Sequence, residues 1–208
     1  MEPFKKVIIL APHTDDAEIG CGATIHKLIE SKCEVHVFAF SSCDESLPPE
    51  FAPGTLINEM QLALQSLGVI NFSTFNYPVR NFAAHRQSIL DDLIKIRDMI
   101  MPDAIFIPAL NDVHQDHFTV ANEAVRAFKN TNIFCYEMPW NNLSFKTTAF
   151  MELSEINIQK KHAALCFYKS QQHRQAFKND FIRSLAIVRG TQIGRQYAEV
   201  FEVIRTIL

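Results

Sequence analysis

The chain is 208 residues long, 48% hydrophobic and 21% charged, with a formal net charge of −3. That length suits one ordinary domain over residues 1–208 with a real core. The absence of any Lys/Arg block removes electrostatic support for a nucleic-acid partner. The N-terminal stretch MEPFKKVIILAPH carries only a short apolar run before polar residues begin, so it reads as neither a secretion signal nor a membrane span.

No other stretch is long enough to cross a bilayer, and a cytoplasmic protein without a membrane anchor is the expectation. The five cysteines, Cys21, Cys33, Cys43, Cys135 and Cys166, are odd in number and scattered, with no CxxC. They read as free thiols and small hydrophobes rather than a cysteine-based zinc site.

Along the chain, apolar runs alternate with helical periodicity. KVIILA (6–11) is a continuous apolar run of the kind buried on both faces of a sheet. CGATIHKLIES (21–31) fits a helix, and EVHVFAF (34–40) a second strand. Leu56, Met60, Ala63 and Leu67 recur at helical spacing, with Gly68 as a stop. NFSTFNY (71–77) predicts a third strand, Ile89, Leu93, Ile96 and Ile100 a long helix, and DAIFIPA (103–109) a fourth strand. A helix through Phe118, Ala121, Val125 and Phe128 and a strand over NIFCYEM (132–138) follow. The last third is less regular, with helices expected near 155–170 and 175–188 and a strand at 198–205. Strand followed by helix, repeated, implies a Rossmann-like, mostly parallel α/β sheet with helices on both faces.

In such folds ligands bind beyond the carboxyl ends of the strands. Strand one ends on PHTDDAE, with His13, Asp15, Asp16 and Glu18; strand four ends on PALNDVHQDH, with Asp112, His114, Asp116 and His117. Each cluster alone has an ordinary explanation, a helix N-cap for the paired aspartates and a solvated helix start for the histidines. Both clusters at one sheet edge point instead to a metal site. A catalytic zinc takes three protein ligands and keeps a position for water. The set on offer is His13, one of Asp15 and Asp16, and one histidine of the second cluster. The carboxylate and histidine left over are what acid–base chemistry needs. Iron(II) or another divalent ion suits the same donors.

HTDDAEIGCGAT resembles the H-[P/A/T]-D-D motif of the PIG-L (LmbE-like) de-N-acetylases, and HQDH resembles that family's H-x-D-H. YKSQ (168–171) and the closing RG…GRQYAEVFEVIR (189–205) are similar to two further family segments. The resemblance implies a Rossmann-like fold and a zinc-dependent hydrolase that removes N-acetyl groups from amino sugars or their conjugates. It implies metal ligands His13, Asp16 and His117, with Asp15 as general base. His114, paired with Asp116, would be the charged partner assisting the intermediate or leaving amine, and Tyr197 would lie near the oxyanion. An assembly of identical copies is implied by the family alone. Thr14 stands where proline is commoner, and the acidic residue after the aspartate pair is Glu18 rather than the next position; both leave the ligating atoms untouched and shift substrate more than chemistry.

Arg80, after strand three, is a candidate contact for a sugar hydroxyl or a phosphate. The proline-bearing loop 41–54 is a candidate cover over the site, and Trp140 a candidate stacking surface. The GCG at 20–22 is expected to permit close helix–sheet packing rather than to cradle a phosphate. The remaining histidines, at 26, 36, 85, 162 and 173, have no acidic partner at ligand spacing and read as core-edge or surface residues. The competing reading is a non-hydrolytic Rossmann-type nucleotide-binding or metal-binding protein. No G-x-G-x-x-G follows strand one, and an acidic loop there would repel phosphates.

Overall fold

β1 (Lys6–Ala11) runs through the middle of the molecule, every residue from Val7 onward buried, as its unbroken apolar run requires. It pairs in parallel with β2 (Glu34–Ala39) on one side and β4 (Ala104–Pro108) on the other. β3 (Asn71–Thr74) extends the sheet beyond β2, and β5 (Asn132–Tyr136) beyond β4, both parallel. The sheet ends with β7 (Tyr197–Arg205) and β6 (Ala149–Leu153), which pair antiparallel, in the order β3-β2-β1-β4-β5-β7-β6. This computed structural model describes residues 4–207; Met1–Pro3, part of the stretch read above as neither signal nor span, lie outside it.

The pleat of β1 divides the core in two. Val7, Ile9 and Ala11 face a layer containing α1 (Asp16–Glu30), α2 (Thr55–Ser66), α5 (Glu155–Leu165) and α6 (Asn179–Thr191). Ile8 and Leu10 face α3 (Arg86–Ile100) and α4 (Gln115–Ala127). The α/β, mostly parallel fold expected from the sequence is therefore present, with helices on both faces. β2 leaves β1 on one side and β4 joins it on the other, so the strand order reverses between β1 and β4. Ligand crevices form at such a switch point.

Several boundaries differ from the sequence reading, each for a local reason. The first helix starts at Asp16, not Cys21, because it is two segments joined across a break at Cys21 (φ −146°, ψ 27°). Two buried charges fill that break. Lys161 Nζ donates to the Ile19 carbonyl at 2.6 Å, closing the first segment. The Glu199 carboxylate accepts from the Thr24 and Ala23 amides at 2.7 and 3.3 Å, opening the second, and pairs with Lys161 at 2.6 Å. One carbonyl and two amides that the helix break would orphan are thereby satisfied.

A Cβ added to Gly20 would lie 2.5 Å from Cδ2 of Tyr136. The close packing expected of the GCG segment is there. β3 stops at Thr74 rather than 77, although Phe75 and Tyr77 still donate to Ala39 and Phe40. α6 starts at Asn179, after a 3₁₀ turn at Gln175–Phe177.

α4 turns inward most of the face expected, with Ala121 and Phe128 buried and Val125 packed on the core, but Phe118 is not part of it. Phe118 is 51% exposed, while His117, Val120, Ala121, Ala124 and Ala127 are buried. The helix is phased so that His117 joins the apolar stripe and reaches the switch-point crevice.

Candidate active site

The loop after β1 and the loop after β4 meet at the switch point. His13 Nδ1, Asp16 Oδ2 and His117 Nε2 form a triangle with all three sides 3.2 Å. Donors bound to zinc at about 2.0–2.1 Å in tetrahedral geometry stand about 3.3 Å apart, so this donor set fits a small divalent cation. The ring nitrogens of His13, His114 and His117 also lie within 4.8 Å of one another, a looser grouping. The tighter edges favour Asp16 over His114 as the third ligand.

Each histidine of the triangle is backed by a carboxylate on its other nitrogen. His13 Nε2 is 3.1 Å from Asp116 Oδ2, and His117 Nδ1 is 2.8 Å from Asp112 Oδ2. Such backing fixes tautomer and ring orientation at metal sites. Burial pulls both imidazolium ions down, but the nearby carboxylates, Asp16 foremost, outweigh it. They raise His13 to about 9 and His117 to about 10. A pocket that pulls protons onto two histidines so strongly is one that demands positive charge, and a divalent cation would supply it. Burial pushes Asp16 up, yet the two histidines hold it well below the ordinary carboxylate range.

Asp15, at the cap of α1, is buried beside the triangle and is not part of it. Arg174 Nη1 lies 2.5 Å from its Oδ2. Burial raises the Asp15 carboxyl, and Arg174 pulls it back, leaving it above the usual range, as suits a proton acceptor.

His114 caps α4, its Nδ1 accepting the Asp116 amide at 3.2 Å. Burial, then the neighbouring His13 and His117, lower its pKa, so it stands neutral with Nε2 as the protonated nitrogen. The arrangement differs from the one the resemblance implied. The Asp116 carboxylate serves His13 and the amides of Arg80 (2.6 Å) and Phe82 (3.3 Å), and touches His114 only through its own backbone. Asp112, in the expected second cluster but given no role there, holds both His117 and the His114 amide, the latter at 2.8 Å. A carboxylate five residues before a candidate ligand was the signal for it.

The cleft over this floor has a volume of about 250 Å³. Cys43 and Ser46, from the loop expected to cover the site, line it beside Leu56, Arg80, His114 and Trp140. The structure does not bring Tyr197 there. Its hydroxyl meets Glu155 at 2.8 Å and Arg183 at 2.5 Å instead, between α5 and α6. The YKSQ segment acts as a brace. Ser170 donates through its amide and hydroxyl to Glu59 on α2, at 3.0 and 2.6 Å, and Gln171 and Arg174 beyond it line the cleft.

The Tyr168 hydroxyl reaches the Thr14 carbonyl at 2.6 Å and Glu18 at 2.9 Å. With one hydroxyl proton and a carbonyl that only accepts, the second contact needs a proton from Glu18, whose carboxyl burial raises to about 8. His36 and His26 do have carboxylates near them, Glu34 at 2.6 Å and Glu30 at 3.5 Å; neither histidine lines the cleft.

A protein-family model described as PIG-L, GlcNAc-PI de-N-acetylase, matches residues 8–128, more than half of the chain and both histidine–aspartate clusters. A curated relative, the uncharacterized deacetylase YaiS of Escherichia coli K12, is 27% identical over 176 residues, covering 80% of this chain and 91% of that protein. Among solved structures, N,N'-diacetylchitobiose deacetylase from Pyrococcus horikoshii superposes with a TM-score of 0.75 at 21% identity, over 97% of this chain and 84% of that one. GalB, the 4-carboxy-2-hydroxymuconate hydratase of Pseudomonas putida KT2440, superposes with a TM-score of 0.80 at 18% identity, over 98% of each chain. At these identities the two structures testify to the fold alone, and they carry different chemistries on it. The family match over both clusters is decisive: the chain belongs to the PIG-L, GlcNAc-PI de-N-acetylase, family.

Proposed function

We propose that this protein is a zinc-dependent hydrolase that removes an N-acetyl group from an amino sugar or amino-sugar conjugate, releasing acetate. The observation that carries the reading is the 3.2 Å triangle of His13, Asp16 and His117 with a second aspartate left beside it. Holding the metal needs three donors. Asp15 is surplus to binding and is available for proton transfer.

Zinc, held by those three residues, would supply Lewis acidity and a water acidified towards neutral pH. Asp15 accepts the proton of the attacking water; Arg174 occupies only its Oδ2 and keeps the carboxylate in one orientation. Neutral His114 presents its Nε2–H to the oxygen on which charge develops, a donor set in place beforehand. The amine departs with the proton returned by Asp15, so the base becomes the acid of the second half-reaction. Asp112 and Asp116 act by holding His117 and His13. Trp140, exposed at the cleft, offers a flat surface to a sugar ring.

The five cysteines are unpaired, as suits a reducing cytoplasm. No helix among the described residues is long and apolar enough to cross a membrane, and the substrate we propose is a small molecule. The test is acetate release from a panel of N-acetylated amino sugars and sugar nucleotides, with metal-depleted protein and again after zinc is restored. Zinc-dependent acetate from any member is the expected result. No acetate from a folded, zinc-loaded protein across the panel contradicts the reading.

A further inference from the structure

Four carboxylates, Asp15, Asp16, Asp112 and Asp116, surround the floor of the cleft, a field that repels anions and asks nothing of a neutral sugar. Two arginines line the same cleft, Arg80 and Arg174. Arg174 is committed: it rests on Asp15 and over the ring of Phe177, 5.3 Å from the centroid. Arg80 is exposed, and among the described residues its side chain has no ion-pair or hydrogen-bond partner.

The backbone at Arg80 makes that free cation informative. Its φ of 63° lies in the left-handed region, where glycine or asparagine sits more easily than arginine. The site enforces that conformation. The Arg80 amide donates to Asp116 Oδ2 at 2.6 Å, the carboxylate that also orients His13, and the Arg80 carbonyl accepts from the Gln115 side chain. Neither bond uses the guanidinium, so Asn or Gly would make both with less strain. A strained arginine at the cleft, tied to the carboxylate that backs His13 and with its side chain unpaired among the described residues, has a purpose that the backbone contacts do not explain.

We propose that Arg80 forms an oxyanion subsite, binding a phosphate or carboxylate group carried by the substrate beyond its N-acyl end. The inference rests on the hydrolase reading for the acyl end and adds to it a charge requirement at the other end. A planar guanidinium matches either oxyanion with two parallel hydrogen bonds. Its charge offsets the repulsion from the acidic floor.

Deacetylated amines test the subsite without turnover. Glucosamine, glucosamine 6-phosphate, glucosamine 1-phosphate and muramic acid would be titrated calorimetrically into the zinc-loaded protein and into R80N and R80K. Asparagine tolerates the left-handed backbone, so R80N should melt like the parent, and R80K keeps the charge without the fork. At least one anionic amine should bind about tenfold tighter than glucosamine. R80N should bring it within about twofold of glucosamine, and R80K should fall between. Preference for the phosphates or for muramic acid would name the anion.

No anionic preference in the parent overturns the proposal. A preference that survives R80N does so too, because it places the anion on the metal or on Arg174. The two readings fail separately. An intact anionic preference with no acetate released from any N-acetyl compound overturns the hydrolase and leaves the subsite. Acetate release without an anionic preference does the reverse.

Discussion

The guanidinium of Arg174 rests on the carboxylate of Asp15, Nη1 to Oδ2 at 2.5 Å, joining the segment after α5 to the cap of α1. Both partners line the cleft, and the carboxylate is buried. This pair fixes the orientation of the proposed base and leaves its other oxygen for the attacking water. Replacing Arg174 by Ala should therefore leave zinc content unchanged and lower kcat about 10–100-fold, because a misplaced base loses near-attack geometry. Lysine should recover only part, since a point charge on a flexible stem is not held in place as the planar guanidinium is over the Phe177 ring. Steady-state kinetics beside metal analysis checks this; a kcat equal to the parent's contradicts it.

Asp112 and Asp116 stand behind His117 and His13, the proposed histidine ligands, at 2.8 and 3.1 Å. Their loss should be felt in metal affinity before it is felt in chemistry. Asp112→Asn should weaken zinc binding about 10–100-fold, read by competition with a chromogenic chelator. Unchanged zinc affinity in that variant would remove Asp112 from the metal site.

The parallel strands were legible because each is a run of apolar, β-branched or aromatic residues bounded by polar turns, as KVIILA shows. β6 was missed. AFMEL sits at the sheet edge against β7 only, half exposed, and has no clean alternation to betray it. The antiparallel end of the sheet was hidden with it. The break in α1 was hidden too, because its cause, the buried Lys161–Glu199 pair, comes from two distant segments. In the site, His13, Asp15, Asp16 and His117 meet as their spacing after two neighbouring strands suggested. The roles of Asp116 and Asp112 depend on which ring nitrogen faces which carboxylate, and spacing does not carry that. Tyr197 illustrates the same limit: its segment matches a motif, while its hydroxyl is held by Glu155 and Arg183.

Glu18 offers a pH-dependent check. Burial raises its carboxyl from 4.5 to about 8, and its Oε2 has no hydrogen-bond partner among the described residues. Between those values the folded chain holds a proton that the unfolded chain has released. Stability from this group therefore falls as pH rises from about 4.5 to about 8 and is flat above. Glutamine keeps a neutral hydrogen-bonding group there. Glu18→Gln should match the parent near pH 4.5 and exceed it by up to about 3 kcal/mol at pH 7. Urea melts of the metal-depleted proteins at pH 5 and 7.5 would show it, and parallel pH dependence in the two proteins would contradict it.

The central claim is that three residues hold the metal and Asp15 performs the proton transfer. Its most direct test is acetate release by Asp15→Asn at measured zinc occupancy, beside the parent protein. The account predicts one zinc per chain in both and a kcat lower by about 10²–10⁴-fold in the variant. Turnover within twofold of the parent, or loss of zinc along with activity, would contradict it.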